Sequence, residues 1–97
     1  MQFFRKLLFG GGRSQAMKYY ISKPISHKLD ESIVIGVKEM DSEAVFVKSL
    51  YDADICIFQK GWTRSKVCVA DYHSAGDNHI KRYESYIFTD KYRVKLN

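Results

Sequence analysis

The residues most able to do chemistry lie in one stretch near the middle of the chain, where an apolar run ends and a helical pattern begins. Asp71 falls on the helical part, and its carboxylate could act as a general base or as a nucleophile. Ser65 and the free backbone N–H groups at the start of that helix could hold an anion, with Arg64 and Lys66 adding positive charge. The alternative for Asp71 is a solvated side chain, or one that pairs with a neighbouring lysine.

A strand, a loop and a helix would position this stretch. Residues 54–59 form an apolar run of strand length, typical of a strand that is buried on both faces in a parallel sheet. A glycine and a tryptophan break the run. A helix is then predicted from about Arg64 to Ala75, and Gly76 is predicted to end it.

The ligands of open α/β sheets bind beyond the carboxyl ends of the strands. Residues 18–22 are predicted to form the first strand, so residues 21–25 mark one such end. Residues 59–66 mark the other, after the apolar run. The sequence therefore predicts a ligand site between these two segments.

The region between the first strand and the apolar run allows more than one interpretation. Residues 32–37 are apolar and β-branched, which predicts a strand, while a helix over residues 29–40 is the competing interpretation. Asp41 is a plausible N-cap, and a helix is predicted to follow it over residues 42–52.

The order of the elements predicts the fold class. Residues 82–88 and 92–96 are expected to form two strands of a C-terminal β-hairpin. The whole is predicted to be a small α/β, Rossmann-like domain of flavodoxin-like or transferase-like type, with a mostly parallel sheet and flanking helices. Residues 17–97 would form this single domain, and residues 1–16, which contain three consecutive glycines, a flexible basic arm.

Charge and cysteine content limit the function classes. The formal net charge of +5 is concentrated at the ends, which could attract nucleic acid, an acidic protein or anionic lipid, or could be ordinary solvated charge. Cys56 and Cys68 lie in apolar runs, which predicts buried free thiols and a reducing, cytoplasmic compartment. No apolar run has the length of a transmembrane segment, no Cys/His cluster has zinc-ligand spacing, and no cofactor is predicted.

Two segments resemble the nucleoside 2-deoxyribosyltransferase-like superfamily. The run DADICIFQKGWTRSKVCVADYHSA at residues 52–75 is similar to the strand, Gly-Trp loop and helix of that superfamily, in particular of a branch of small bacterial and phage proteins. MKYYISKPIS at residues 17–26 looks like the opening strand of the same branch. Together the two segments cover about a third of the chain.

The resemblance implies a set of site residues. Asp71 falls where the active transferases place the glutamate that attacks the anomeric carbon of the sugar, so it is the implied catalytic residue. The implied nucleoside- or nucleotide-binding residues are Tyr20, Ser22, Pro24, Asp54, Gly61, Trp62 and Ser65. Trp62 would either stack on the nucleobase or cap the edge of the core. Members of the superfamily tend to build shared sites as oligomers, which implies a homo-oligomer.

Four positions depart from the superfamily pattern. Asp71 is one methylene shorter than the glutamate, and Val67, Phe46 and Lys23 replace a glycine, an aspartate and a glycine. A nucleophile displaced by about 1 Å can lose orders of magnitude in rate. The expected function is therefore a small nucleotide- or nucleoside-binding module with weak or no catalysis. Two alternatives stay open: a residual N-glycosidic hydrolase or transferase that uses Asp71, and an adaptor that binds nucleic acid or protein through its basic termini.

Overall fold

A computed structural model of the chain describes residues 16–89. The strands are Lys18–Ser22 (β1), Val45–Phe46 (β2), Ile55–Phe58 (β3) and Lys81–Glu84 (β4), and the helices are Glu31–Met40 (α1) and Lys66–Asp77 (α2). Two 3-10 turns, Leu50–Asp52 and Trp62–Arg64, precede β3 and α2. The four strands lie in the order β2-β1-β3-β4 with all neighbours parallel. This arrangement confirms the predicted small Rossmann-like α/β fold with a parallel sheet and flanking helices.

The central strand β3 is buried along its length and separates two apolar cores. Ile55 and Ile57 pack with Val37 of α1, whereas Cys56 packs with Ala75 of α2. Successive side chains of a strand point to opposite faces of its sheet. The two helices therefore cover opposite faces.

The chain moves outward from the centre of the sheet in both directions. β1 leads through α1 to β2 on one side, and β3 leads through α2 to β4 on the other. The strand order therefore reverses between β1 and β3. The carboxyl ends of two such strands form the crevice in which open α/β sheets bind their ligands.

The region of residues 31–40 is helical, so the strand predicted over residues 32–37 is wrong and the competing helix is confirmed. Asp30 begins the helix, since its Oδ1 accepts a hydrogen bond from the backbone N–H of Ser32 at 3.0 Å. The residues that α1 buries are Ile33, Gly36 and Val37. Their spacing places them on one face of the helix, and that face decides between helix and strand.

The helix predicted over residues 42–52 is wrong, because part of that segment completes the sheet beside β1. Its β-branched and aromatic residues suit a strand where a neighbouring edge offers backbone partners. Asp41, the predicted N-cap, instead follows the end of α1. Its backbone N–H donates to the carbonyl of Val37, and its Oδ1 accepts from the N–H of Glu43 at 3.2 Å.

The strand predicted over residues 82–88 is confirmed only as far as Glu84. The N–H of Ser85 still donates to the carbonyl of Phe58, the last residue of β3, at 2.9 Å. Residues 86–89 are helical, and Phe88 is buried in the core beneath α1. The second hairpin strand, predicted over residues 92–96, lies outside the described residues, as does the predicted arm up to residue 15.

Helix α2 starts and ends two residues later than predicted. It runs to Asp77, beyond Gly76, and the left-handed backbone conformation after it is adopted by His79, with φ of 59°. Asn78 supports this end of the helix, because its side-chain amide donates to the carbonyl of Ser74 at 2.7 Å. Within residues 16–89, no helix has the length and apolarity that a membrane crossing requires.

Candidate functional site

A cleft of about 820 Å³ opens at the carboxyl ends of β1 and β3. Residues 24–27, which follow β1, form one wall, and residues 60, 61 and 63–67, which follow β3, form the other. The volume is within the usual range for small-molecule sites, roughly 300–1,000 Å³. The cleft lies at the switch point of the sheet, between the two segments where the sequence predicts a ligand site.

Gln59 fixes the wall that follows β1. Its side-chain Nε2 donates to the carbonyl of Lys28 at 2.8 Å, and its Oε1 accepts from the N–H of Asp30 at 2.9 Å. Within the loop, Lys23 Nζ donates to the carbonyl of His27 at 2.9 Å. Gln59 is not among the predicted site residues, although a polar residue directly after a buried apolar strand is a signal for a hydrogen-bonding role.

The two walls come together at Gly61. Its φ is 92°, a left-handed conformation that suits glycine. A Cβ at this position would lie 2.9 Å from Cε1 of His27 and 3.6 Å from Cγ of Pro24. Glycine is therefore required here both by the backbone conformation and by the close approach of the opposite wall.

Among residues 16–89, those that line the cleft carry positive charge and include no carboxylate. Lys60, Arg64 and Lys66 contribute exposed cations on the wall that follows β3. Ile25, which is 79% exposed, and Val67, which is 46% exposed, contribute apolar surface. Cations beside apolar surface suit an anionic ligand that also carries an apolar ring.

Asp71 belongs to a separate polar cluster on the face of the sheet that α2 covers. Ser22 Oγ donates to Oδ2 of Asp71 at 2.7 Å, and Ser22 is only 1% exposed. Burial, and next the Asp71 carboxylate, raise the pKa of Tyr20. The structure therefore brings three of the predicted site residues together, but none of the three lines the cleft.

Trp62 lies in an aromatic cluster at the edge of the α2 core. Its ring stacks on Tyr72 with a centroid distance of 5.1 Å and an interplanar angle of 22°, and lies 4.9 Å from the ring of Phe58. Its Nε1 donates to Oε1 of Glu84 at 3.3 Å, and the Arg82 guanidinium lies 4.2 Å from the centre of the Tyr72 ring. This position agrees with the core-edge interpretation of Trp62.

Asp54 lies at the opposite end of the strands from the cleft. It is exposed at the amino end of β3, and its Oδ2 accepts from the backbone N–H of Lys18 at 2.9 Å. Of the eight predicted site residues, those that line the cleft are Pro24, Gly61 and Ser65. Asp54 is therefore too far along the strand to share a ligand with them.

Cys56 and Cys68 are free and buried, as predicted. Burial, followed by the Asp71 carboxylate and the Cys68 thiol, raises the pKa of Cys56 to about 12. Little of the reactive thiolate of Cys56 is then present in the folded protein at about pH 8.

We therefore expect Cys56 to resist thiol reagents until the protein unfolds. In a Cys68→Ser variant, which leaves Cys56 as the only cysteine, a chromogenic disulfide reagent at about pH 8 should react at least about tenfold faster after unfolding in urea. Equal rates in the folded and unfolded protein would contradict this expectation. The raised pKa of Cys56 also affects stability. The free energy of unfolding should fall as the pH rises above about 9, because the thiol ionises at a lower pH in the unfolded protein than in the folded one.

The chain matches no protein-family model, no curated protein and no solved structure. Within the described part of the chain, no group of three or more His, Cys, Asp or Glu side chains could hold a metal ion. The resemblance to the transferase-like superfamily stays a prediction.

Proposed function

We propose that this protein binds a nucleotide in the cleft at the carboxyl ends of β1 and β3, with weak or no catalysis. The observation that carries the proposal is the lining of the cleft at the switch point of a parallel sheet: the described lining residues contribute three cations and apolar surface but no carboxylate. A nucleotide offers an anionic phosphate and a flat base whose ring face can contact apolar surface, and so has a partner for each part of this lining.

The phosphate would lie against the start of α2. Arg64 and Lys66 supply charged donors on either side of Ser65. The Ser65 hydroxyl oxygen accepts from the N–H of Cys68 at 3.3 Å, and its own O–H can donate to a phosphate oxygen. The positive end of the helix dipole points in the same direction.

The base would lie against the apolar part of the lining. Ile25 is exposed over 79% of its surface, although it occupies a loop that hydrogen bonds hold in place. Covering Ile25 and Val67 with a flat ring would remove apolar surface from water, which favours binding. A nucleobase meets this requirement, whereas inorganic phosphate does not.

The position of Asp71 supports binding rather than turnover. A nucleophile must lie within about 3–3.5 Å of the carbon that it attacks. Asp71 is not part of the cleft lining, and Ser22 holds one of its oxygens at 2.7 Å. A ligand in the cleft would therefore meet cations and apolar surface before it met the carboxylate.

Calorimetric titration with a nucleoside and with its 5′-monophosphate tests the proposal. The monophosphate should bind at least about tenfold more tightly, since each hydrogen bond to a charged group contributes about 1.5–3 kcal/mol. The difference should shrink as salt rises from about 50 to 200 mM. Equal affinity of the two ligands, or no binding of either, would overturn the proposal.

The contact between Ser22 and Asp71, with Tyr20 beside it, favours residual N-glycosidic activity as a second candidate. Asp71→Asn keeps the shape of the side chain and removes the nucleophile. We expect release of free base from deoxynucleosides to be no faster with the native protein than with this variant. Base release that depends on Asp71 would instead show that the carboxylate reaches a sugar.

Localisation and assembly follow as further parts of the proposal. Two buried free thiols suit a reducing compartment, and we place the protein in the cytoplasm. Among the described strands, β2 and β4 each have one neighbour, which supports a homo-oligomer. Binding of nucleic acid or protein through the basic termini depends mainly on residues outside the described range.

A further inference from the structure

Residues 63–66 separate the cleft from a second hollow. This segment, which we call the basic ridge, consists of Thr63, Arg64, Ser65 and Lys66, and it lines both spaces. The second hollow has a volume of about 370 Å³ and lies beside the first turns of α2. Its other lining residues are Val69, Ala70 and His73.

The two hollows have the same chemical character. The second hollow, like the cleft, has apolar surface, which Val69 and Ala70 contribute, and no carboxylate lies among its lining residues in the described part of the chain. Both share the two cations of the basic ridge, and each has a histidine, His27 in the cleft and His73 in the second hollow. The arrangement is thus apolar surface, cationic ridge, apolar surface.

We propose that the natural ligand is a short single-stranded oligonucleotide of at least two nucleotides. The phosphodiester that joins two nucleotides lies on the basic ridge, with one nucleotide in the cleft and the next in the second hollow. This inference rests on the proposed function and names the substrate class of the same site. The repeating unit of a single strand, a phosphate followed by a base, matches the alternation of cations and apolar surface.

A mononucleotide would contact the basic ridge and only one of the two hollows. Its phosphate could lie on the ridge and its base in the cleft, but the second hollow would gain no contact. A second nucleotide adds one more phosphate within reach of Arg64 and Lys66, and brings a base against Val69 and Ala70. Each phosphate neutralised by a single-strand site also steepens the salt dependence of binding, by about 0.7 in the log–log slope.

Calorimetric titration with deoxyadenosine 5′-monophosphate, its 5′-phosphorylated dinucleotide and inorganic tripolyphosphate tests the inference. We expect the dinucleotide to bind at least about tenfold more tightly than the mononucleotide and to show the steeper salt dependence. Tripolyphosphate should compete at least about tenfold more weakly than the dinucleotide, because it has no base for either hollow.

Two variants of Ala70 place the second nucleotide. Ala70 is exposed on α2 and lines the second hollow only, and both replacements are good helix formers. Ala70→Glu should abolish the advantage of the dinucleotide and change the affinity for the mononucleotide by less than about threefold, because it puts a carboxylate only where the second nucleotide lies. Ala70→Gln, which has the same shape without the charge, should keep most of the advantage.

The outcomes separate the two proposals. Equal affinity for the mononucleotide and dinucleotide overturns the oligonucleotide inference and leaves nucleotide binding in place. Tripolyphosphate that competes as well as the dinucleotide also overturns it, because the site would then recognise charge alone. A dinucleotide advantage that survives Ala70→Glu overturns the placement of the second nucleotide in the second hollow. Failure of all three ligands to bind overturns the proposed function itself.

Discussion

Gly36→Ala is expected to lower the free energy of unfolding by about 1–3 kcal/mol, the usual cost of overpacking a core. A Cβ at this position would lie 2.0 Å from the carbonyl oxygen of Phe88 and 2.9 Å from its carbonyl carbon. These are backbone atoms, so they cannot move aside by changing a rotamer. The steric cost of this contact should exceed the roughly 1 kcal/mol that alanine gains over glycine inside a helix, so that the net effect is a loss of stability. Urea unfolding followed by circular dichroism measures it.

Gly76→Ala is the matched control for this prediction, since it makes the same change in α2. There the added Cβ would lie 3.0 Å from Nη1 of Arg82, the far end of a flexible side chain. Arg82 can move by changing its rotamer, so this variant should stay within about 1 kcal/mol of the native protein. If Gly36→Ala proved no more harmful than Gly76→Ala, the close packing of α1 on residues 86–89 would be wrong.

The double variant Arg64→Glu with Lys66→Glu is expected to weaken binding of a nucleoside monophosphate by at least about 100-fold. It replaces two charged donors with two carboxylates that repel the phosphate, and hydrogen bonds to charged groups contribute about 1.5–3 kcal/mol each. The fold should survive, because both side chains are exposed. Calorimetry gives the affinity, and circular dichroism confirms that α2 is intact.

The control for this variant makes the same change of net charge at the opposite end of the strands from the cleft. Lys38 lies in the last turn of α1 and Lys81 begins β4, both away from the cleft. Lys38→Glu with Lys81→Glu should reduce the affinity by less than about threefold, through general electrostatics alone. Equal losses in the two double variants would mean that net charge, and not the cleft, attracts the nucleotide.

The sequence predicts the centre of the fold well because burial leaves little choice there. Strand β1 has the predicted bounds, and β3 falls within residues 54–59, since a short apolar run between polar residues reads as a buried strand. Helix α2 was also predicted, although Asn78 and His79, rather than Gly76, provide its end. Local signals suffice for these elements.

The edges of the fold depend on tertiary contacts that local patterns do not contain. Residues 45–46 become a strand because β1 offers an unpaired edge. Helix α1 could have been preferred over a strand from Asp30, which caps it, and from the i, i+4 spacing of Ile33 and Val37. The chain becomes helical after Glu84 because β3, its pairing partner, ends at Phe58. The local sequence around Glu84 does not contain this information.

The cleft lies where the sequence predicts a ligand site, but only three of the eight predicted site residues line it. The two loops at the switch point were expected, and they form the cleft. The residues assigned by resemblance divide instead among four places: the cleft, the cluster around Asp71, the aromatic cluster of Trp62, and the amino end of β3 at Asp54. Strand alternation sends Tyr20 and Ser22 to the α2 face, toward Asp71. Gln59, which holds the loop after β1, was missed because its two partners are about thirty residues away in sequence.

Amide chemical-shift mapping tests the central claim most directly. On titration of a nucleoside 5′-monophosphate into the isotope-labelled protein, the largest shifts should fall on the backbone amides of the two walls of the cleft, at residues 25–27, 60, 61 and 63–67. Shifts concentrated at the amino ends of the strands, around Asp54 and Lys81, would contradict nucleotide binding in this cleft. Shifts spread without pattern over the surface would contradict it as well.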